Sequence, residues 1–113
     1  MEFDRRDIGH VAVLRPAENR IDAARAPEFK AYVVGVIDEG QASIVIDLAE
    51  VNFLDSSGLG AVVSVMKQLG EGCRLELAGL APAVEKVFRL TRMDQIFTIH
   101  PEIPDRTELY RAG

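Results

Sequence analysis

At 113 residues the chain has room for one folded domain, expected to span residues 1 to 113, and none for a second. With 48% hydrophobic and 27% charged residues, no apolar run near the roughly 18 to 20 residues that cross a bilayer, and no apolar signal core in Met1-Glu2-Phe3-Asp4-Arg5-Arg6, the expected location is cytoplasmic. A formal net charge of −5, with no basic cluster larger than Arg5-Arg6, argues against nucleic acid and against direct membrane contact, and suits a partner carrying arginines or lysines around its docking site.

Along the chain, Ile8-Gly9-His10-Val11-Ala12-Val13-Leu14 alternates apolar with small or polar residues and predicts a strand, with a partner strand beginning near Phe3. Pro27 suits the first turn of a helix whose stripe of Phe29, Tyr32, Val33, Val36 and Ile37 ends at Gly40. Asp22 lies too far ahead of Pro27 to cap that helix and is expected to be free for a loop role. Ala42-Ser43-Ile44-Val45-Ile46-Asp47-Leu48 is a nearly continuous β-branched run, the pattern of a central strand buried on both faces of a parallel or mixed sheet. Leu59, Val62, Val63, Met66 and Leu69 recur at i, i+3, i+4, i+7 and i+10, which predicts a helix docked on the sheet along that stripe. Cys73-Arg74-Leu75-Glu76-Leu77-Ala78 alternates as a further strand, and the single cysteine, Cys73, reads as packing. A short terminal helix is expected from Pro101 through Leu109 and Tyr110. Strands alternating with helices define the α/β class, with βαβ crossovers in a mixed sheet of about four to five strands and helices mainly on one face.

Several chemistries lack their residues. His10 and His100 stand at opposite ends with Cys73 alone between them, so no metal-ligand cluster forms and no metal is expected. Asp55-Ser56-Ser57-Gly58 lacks the leading glycine of a hydrolase elbow, and no motif places either histidine beside it. Lys67 is too far from Gly58 and Gly60 to complete a phosphate-binding loop, so the chain is not expected to bind ATP, and no cofactor is implied.

What remains is Leu54-Asp55-Ser56-Ser57-Gly58-Leu59-Gly60, which hangs two hydroxyls between an apolar strand and an apolar-faced helix. Ser56 or Ser57 is expected at the helix N-cap, and a phosphoryl group there would meet unpaired N–H donors. The plainer alternative is that these residues only cap the helix. Two glycines in a helix each cost about 1 kcal/mol relative to alanine. Close helix-to-sheet packing and clearance for an approaching partner would each explain Gly58 and Gly60, and the two are compatible.

Asp55-Ser56-Ser57-Gly58-Leu59-Gly60 resembles the phosphorylation segment of the bacterial anti-sigma factor antagonists, the stand-alone members of the STAS domain family. Asn19-Arg20-Ile21-Asp22-Ala23-Ala24 with Ala26-Pro27-Glu28-Phe29 is similar to the family's segment before its first helix. Leu80-Ala81-Pro82-Ala83-Val84, Val87-Phe88-Arg89-Leu90-Thr91 and Asp94-Gln95-Ile96-Phe97 resemble its third helix and last strand. Where the family commonly has glycine this chain has Asn19, which tolerates a left-handed turn, and Arg92, which stands at a helix end that usually takes glycine.

The resemblance implies that Ser56 accepts phosphate and that Asp22, Asp55, Ser57, Gly58 and Leu59 join it in binding a partner, with Asp22 and Ser56 neighbours at one edge. It implies an anti-sigma factor that is also a serine kinase, a PP2C-like serine phosphatase, and a chain that is monomeric when free. It further implies a binding protein that releases a sigma factor, and not an enzyme. The rival from transport makes the chain a cytosolic STAS subunit or regulatory domain of a membrane transport system; an enzyme reading rests on Ser56 and the histidines alone.

Overall fold

The computed structural model describes residues 1–103; the terminal helix expected from Pro101 through Leu109 and Tyr110 falls largely on residues 104–113, outside the described residues. Strands β1 (Phe3–Ile8) and β2 (Val11–Pro16) form an antiparallel hairpin in which Ile8 pairs with Val11. Gly9 and His10 make the turn, with Gly9 at φ 61°. The single strand expected over Ile8–Leu14 is thus divided: the alternation runs through the turn because Ile8 and Val11 share a face of the sheet.

After the hairpin come β3 (Arg20–Ile21), α1 (Ala26–Asp38), β4 (Ser43–Asp47), β5 (Phe53–Leu54), α2 (Ser56–Lys67), β6 (Arg74–Ala78), α3 (Pro82–Leu90) and β7 (Ile99–His100). The main sheet has the order β1-β2-β4-β6-β7, and every pair after the hairpin is parallel. β4 is the central strand, and residues 44–48 are buried on both faces, as the β-branched run requires. Helices α1, α2 and α3 all contribute to a core on one side of the sheet, built on Phe29, Val33, Val62, Val65, Val84 and Phe88. The other face carries a smaller cluster of Val11, Val13, Val45 and Ala78. At about 1.5–3 kcal/mol for each fully buried Val, Leu or Phe side chain, burial on the helical side dominates the stabilisation.

Three departures from the sequence pattern shape the functional end. First, β3 and β5 form a two-stranded parallel ladder apart from the main sheet, Arg20 opposite Phe53 and Ile21 opposite Leu54. Second, α2 is rotated from the expected stripe: Gly58, Ala61, Val62 and Val65 are buried, whereas Leu59, Val63, Met66 and Leu69 lie only partly covered at its flank. The small residues Gly58 and Ala61 let the helix approach its neighbours closely, and this decides which face turns inward. Third, Asp94–Phe97 is not a strand. Arg92 takes a left-handed conformation (φ 61°) after α3, a 3-10 turn follows over Met93–Gln95, and Phe97 packs edge-on against Phe88 at 5.9 Å. The last strand among the described residues comes after it, at Ile99–His100. Asn19 does not use the left-handed region; its carbonyl instead accepts the N–H groups of Asn52 (2.7 Å) and Phe53 (3.3 Å), which aligns the chain for the β3–β5 ladder.

Candidate functional site

The N-cap of α2 is Asp55, not Ser56 or Ser57. Its backbone is extended (φ −91°, ψ −174°), and its Oδ1 accepts the Gly58 N–H at 2.8 Å. An aspartate one residue ahead of the serines satisfies the cap, so neither hydroxyl is needed for it. Ser56 and Ser57 become the first two helical residues, and both are exposed. Their N–H groups find no acceptor among the described residues, since the first bonded N–H groups of the helix are those of Gly58, to the Asp55 side chain, and Leu59, to the Asp55 carbonyl. The hydroxyl of Ser56 therefore stands at the positive end of a twelve-residue helix.

The β3–β5 ladder brings the second segment to this turn. Ile21 and Leu54 are in register, so the next residues along the two chains are Asp22 and Asp55. The second carboxylate oxygen of Asp55 accepts the Ala23 N–H at 3.3 Å, tying the loop that holds Asp22 to the turn that holds Ser56. Gly58 completes the join. A Cβ built on it would stand 2.1 Å from the Ile21 carbonyl oxygen and 2.9 Å from Leu54 Cδ1, so close packing accounts for this glycine. Gly60 differs, because a Cβ there would meet nothing within 4 Å.

Asp22 is not a spare carboxylate. Its Oδ1 accepts the N–H groups of Ala24 and Arg25 (3.2 Å each) and the Arg25 guanidinium at 3.4 Å, while its carbonyl accepts the Arg25 and Ala26 N–H groups. It closes the turn that leads into α1, a job hidden in the sequence because Arg25, the residue at the cap position, supplies no side-chain cap. Desolvation pushes its carboxyl upward, but the bonds from Arg25 and Ala24 and the Arg25 charge outweigh this and hold it below the usual aspartate range. Arg20 approaches Asp22 at 3.9 Å and lies over the exposed ring of Phe53 at 5.8 Å.

The remaining candidates stay apart from this site. His10 is at the exposed hairpin tip, and His100 bonds Glu76 Oε1 at 2.8 Å, with Arg74 on the other oxygen of Glu76 at 2.7 Å. Cys73 is half-buried just ahead of β6. No group of three or more His, Cys, Asp or Glu among the described residues could hold a metal ion, and no helix there is long and apolar enough to cross a membrane. Two features escaped the sequence reading. Asp55 as the cap was open to it, since aspartate is among the best N-cap residues. The other is Met93, which the turn after α3 places in the lining of a shallow groove along α2, and no local pattern announces it.

The fold and site define a small mixed-sheet α/β domain with exposed serine hydroxyls in the first turn of a helix. Residues 2–105 match the STAS domain family, and the chain belongs to it. An anti-sigma-B factor antagonist of Listeria monocytogenes is 36% identical over 88% of this chain and 86% of its own length. Among solved structures, an anti-sigma factor antagonist from Mycobacterium paratuberculosis superposes with a TM-score of 0.86 at 26% identity, covering 97% of this chain and 93% of its own. A putative anti-sigma factor antagonist from Thermotoga maritima gives a TM-score of 0.86 at 28% identity, covering 96% of this chain and 94% of its own.

Proposed function

We infer that the chain is an anti-sigma factor antagonist. Unphosphorylated, it docks on an anti-sigma factor that is also a serine kinase and so frees a sigma factor; phosphorylation of Ser56 ends the contact, and a PP2C-like serine phosphatase restores it. The observation that carries this reading is the placement of Ser56: an exposed hydroxyl at the first position of α2, with free N–H donors beside it and the cap already supplied by Asp55. Asp22, Ser57, Gly58 and Leu59 complete the docking rim, with Asp55 as the tie between the two segments. The function is binding, not catalysis, because the kinase brings both the nucleotide and the catalytic groups. A free monomer in the cytoplasm fits this role. The likeness to the Listeria antagonist over most of both chains favours it above a subunit of a transport system.

The test is incubation with the cognate anti-sigma factor kinase and ATP. One phosphate should be added, at Ser56, and Ser56→Ala should abolish labelling while retaining the native circular dichroism. Phosphate on Ser57 or elsewhere in the wild-type chain would contradict the assignment.

A further inference from the structure

We propose that the sheet face turned away from α1, α2 and α3 holds a site for a free α-amino acid, between the β1–β2 hairpin and the end of β4. A cavity of about 200 Å³ lies there, with Asp4, Arg6, Val13, Arg15 and Asp47 in its lining. The strand register gathers them: Asp4 is opposite Arg15, Arg6 opposite Val13, and Val13 opposite Val45, two residues ahead of Asp47. Val13 and Val45 belong to the cluster on that face, and the alternation of side chains along each strand puts the charged residues on the same side. The cavity is therefore separate from the turn that holds Ser56.

Three charged groups around it lack partners. Asp47 is the one charged residue among the described residues that is buried, at 8% exposure, and a buried carboxylate is costly unless something pairs with it. Its Oδ1 accepts the Ala49 N–H at 3.0 Å, its other oxygen has no partner, and it makes no ion pair among the described residues. On the neighbouring strand, Nη2 of Arg15 donates to Asp4 Oδ2 at 2.9 Å, which leaves Nε buried with an N–H that finds no acceptor. Arg6 is exposed and has no ion pair among the described residues.

A buried acceptor without a cation and a buried donor without an anion call for one molecule that brings both. Phosphate or a simple carboxylate would suit Arg15 and Arg6 but meet the like charge of Asp47, and a simple amine would do the reverse. An α-amino acid carries the two charges on one carbon. Its ammonium goes to the free oxygen of Asp47, its carboxylate takes charge-assisted bonds from Arg15 Nε and the Arg6 guanidinium, and its side chain lies against Val13. The cavity is smaller than the roughly 300–1,000 Å³ of pockets for drug-sized ligands, which suits a molecule of this size.

The experiment is an NMR titration of the full chain with glycine, L-serine and L-glutamate, with acetate, methylamine and inorganic phosphate as controls. At least one amino acid should give saturable shifts at the amides of Arg6, Val13, Arg15 and Asp47, with a Kd of about 1 mM or tighter, and each control should bind at least about tenfold more weakly. Asp47→Asn keeps an oxygen for the Ala49 N–H and loses the charge, while Arg15→Gln alters a half-exposed side chain. Both should keep the native circular dichroism and weaken binding by at least about tenfold; if Asp47→Asn does not fold, Arg15→Gln decides. No saturable shift with any of the three amino acids overturns the proposal. So does binding of phosphate or acetate as tight as that of the amino acids, which would make this an anion site only, or wild-type affinity in Arg15→Gln. No partner protein is involved, so the outcome leaves the reading of Ser56 untouched.

Discussion

Adding one methyl at Gly58 should loosen the junction on which the whole site depends. The new Cβ would lie 2.1 Å from the Ile21 carbonyl oxygen and 3.0 Å from the Ile21 carbonyl carbon, both backbone atoms that no change of rotamer can move aside. Either α2 backs away from β3 or the β3–β5 ladder opens, and both displace Asp22 from Asp55. Overpacking of this severity costs about 3 kcal/mol, the upper part of the usual range, and replacing a helical glycine returns about 1 kcal/mol. The net loss of about 2 kcal/mol corresponds to a melting temperature roughly 8 °C lower, at about 4 °C per kcal/mol for a chain of this size. Gly60→Ala is the internal control, since its Cβ meets nothing within 4 Å. That change should raise stability by up to about 1 kcal/mol. Thermal and urea unfolding of the two variants decide the matter. A Gly58→Ala protein as stable as wild type, or the same direction of change in both variants, would refute the close-packing account.

Asp22→Ala should cost about 1 kcal/mol through loss of the turn that feeds α1, and should also weaken kinase binding; unfolding and calorimetry would show both effects, and unchanged stability would contradict the hydrogen bonds assigned to this carboxylate. Arg92→Gly should stabilise the chain by about 1 kcal/mol, because a left-handed backbone carries a steric cost in arginine that glycine does not have; unchanged or lower stability in urea unfolding would count against it. The carboxyls of Asp22 and Glu76 are both held below their usual ranges. For Glu76, desolvation pushes upward, and the bonds from His100 and Arg74 prevail. Because their folded-state values lie below the unfolded ones, their contribution is complete above the ordinary carboxylate range and is lost as pH falls through the folded values. Acid unfolding curves should therefore flatten in Asp22→Asn, and an NMR titration of Asp22 should have its midpoint below that of a free aspartate.

The sheet and helices were legible because burial on both faces of β4 and the stripe of α1 leave strong periodic signals. The β3–β5 ladder was not. Two residues per strand are too short to show a period, and the pairing depends on the Asn19 carbonyl bonding residues more than thirty positions away. The rotation of α2 was hidden for a related reason: the sequence stripe counted only large apolar residues, whereas the buried face is set by Gly58 and Ala61, which make room by being small. At the site, the hydroxyl pair was visible in the sequence but its cap was misplaced by one or two residues, and Asp22 looked unemployed because the backbone N–H groups it accepts, unlike its ion pair with Arg25, carry no sequence signature. Gly58 and Gly60 shared one cost in the sequence. Only the contacts separate them, one filled by the Ile21 carbonyl and the other open.

On the proposed function, one phosphate on Ser56 breaks an interface and leaves the fold intact. A phosphate in the first turn of α2 gains about 0.3–1 kcal/mol from the helix end and loses a similar amount to Asp55, so the melting curve should move by no more than a few degrees. At a docked surface the same group must be desolvated, and an unpaired charge there costs roughly 3–4 kcal/mol, equivalent to about a hundredfold to a thousandfold in affinity. Calorimetric titration of the cognate anti-sigma factor kinase with the unphosphorylated and the Ser56-phosphorylated chain measures this directly. The first form should bind, the second should lose affinity by that factor, and both should keep the native circular dichroism. Equal affinity of the two forms, or global unfolding on phosphorylation, would contradict it.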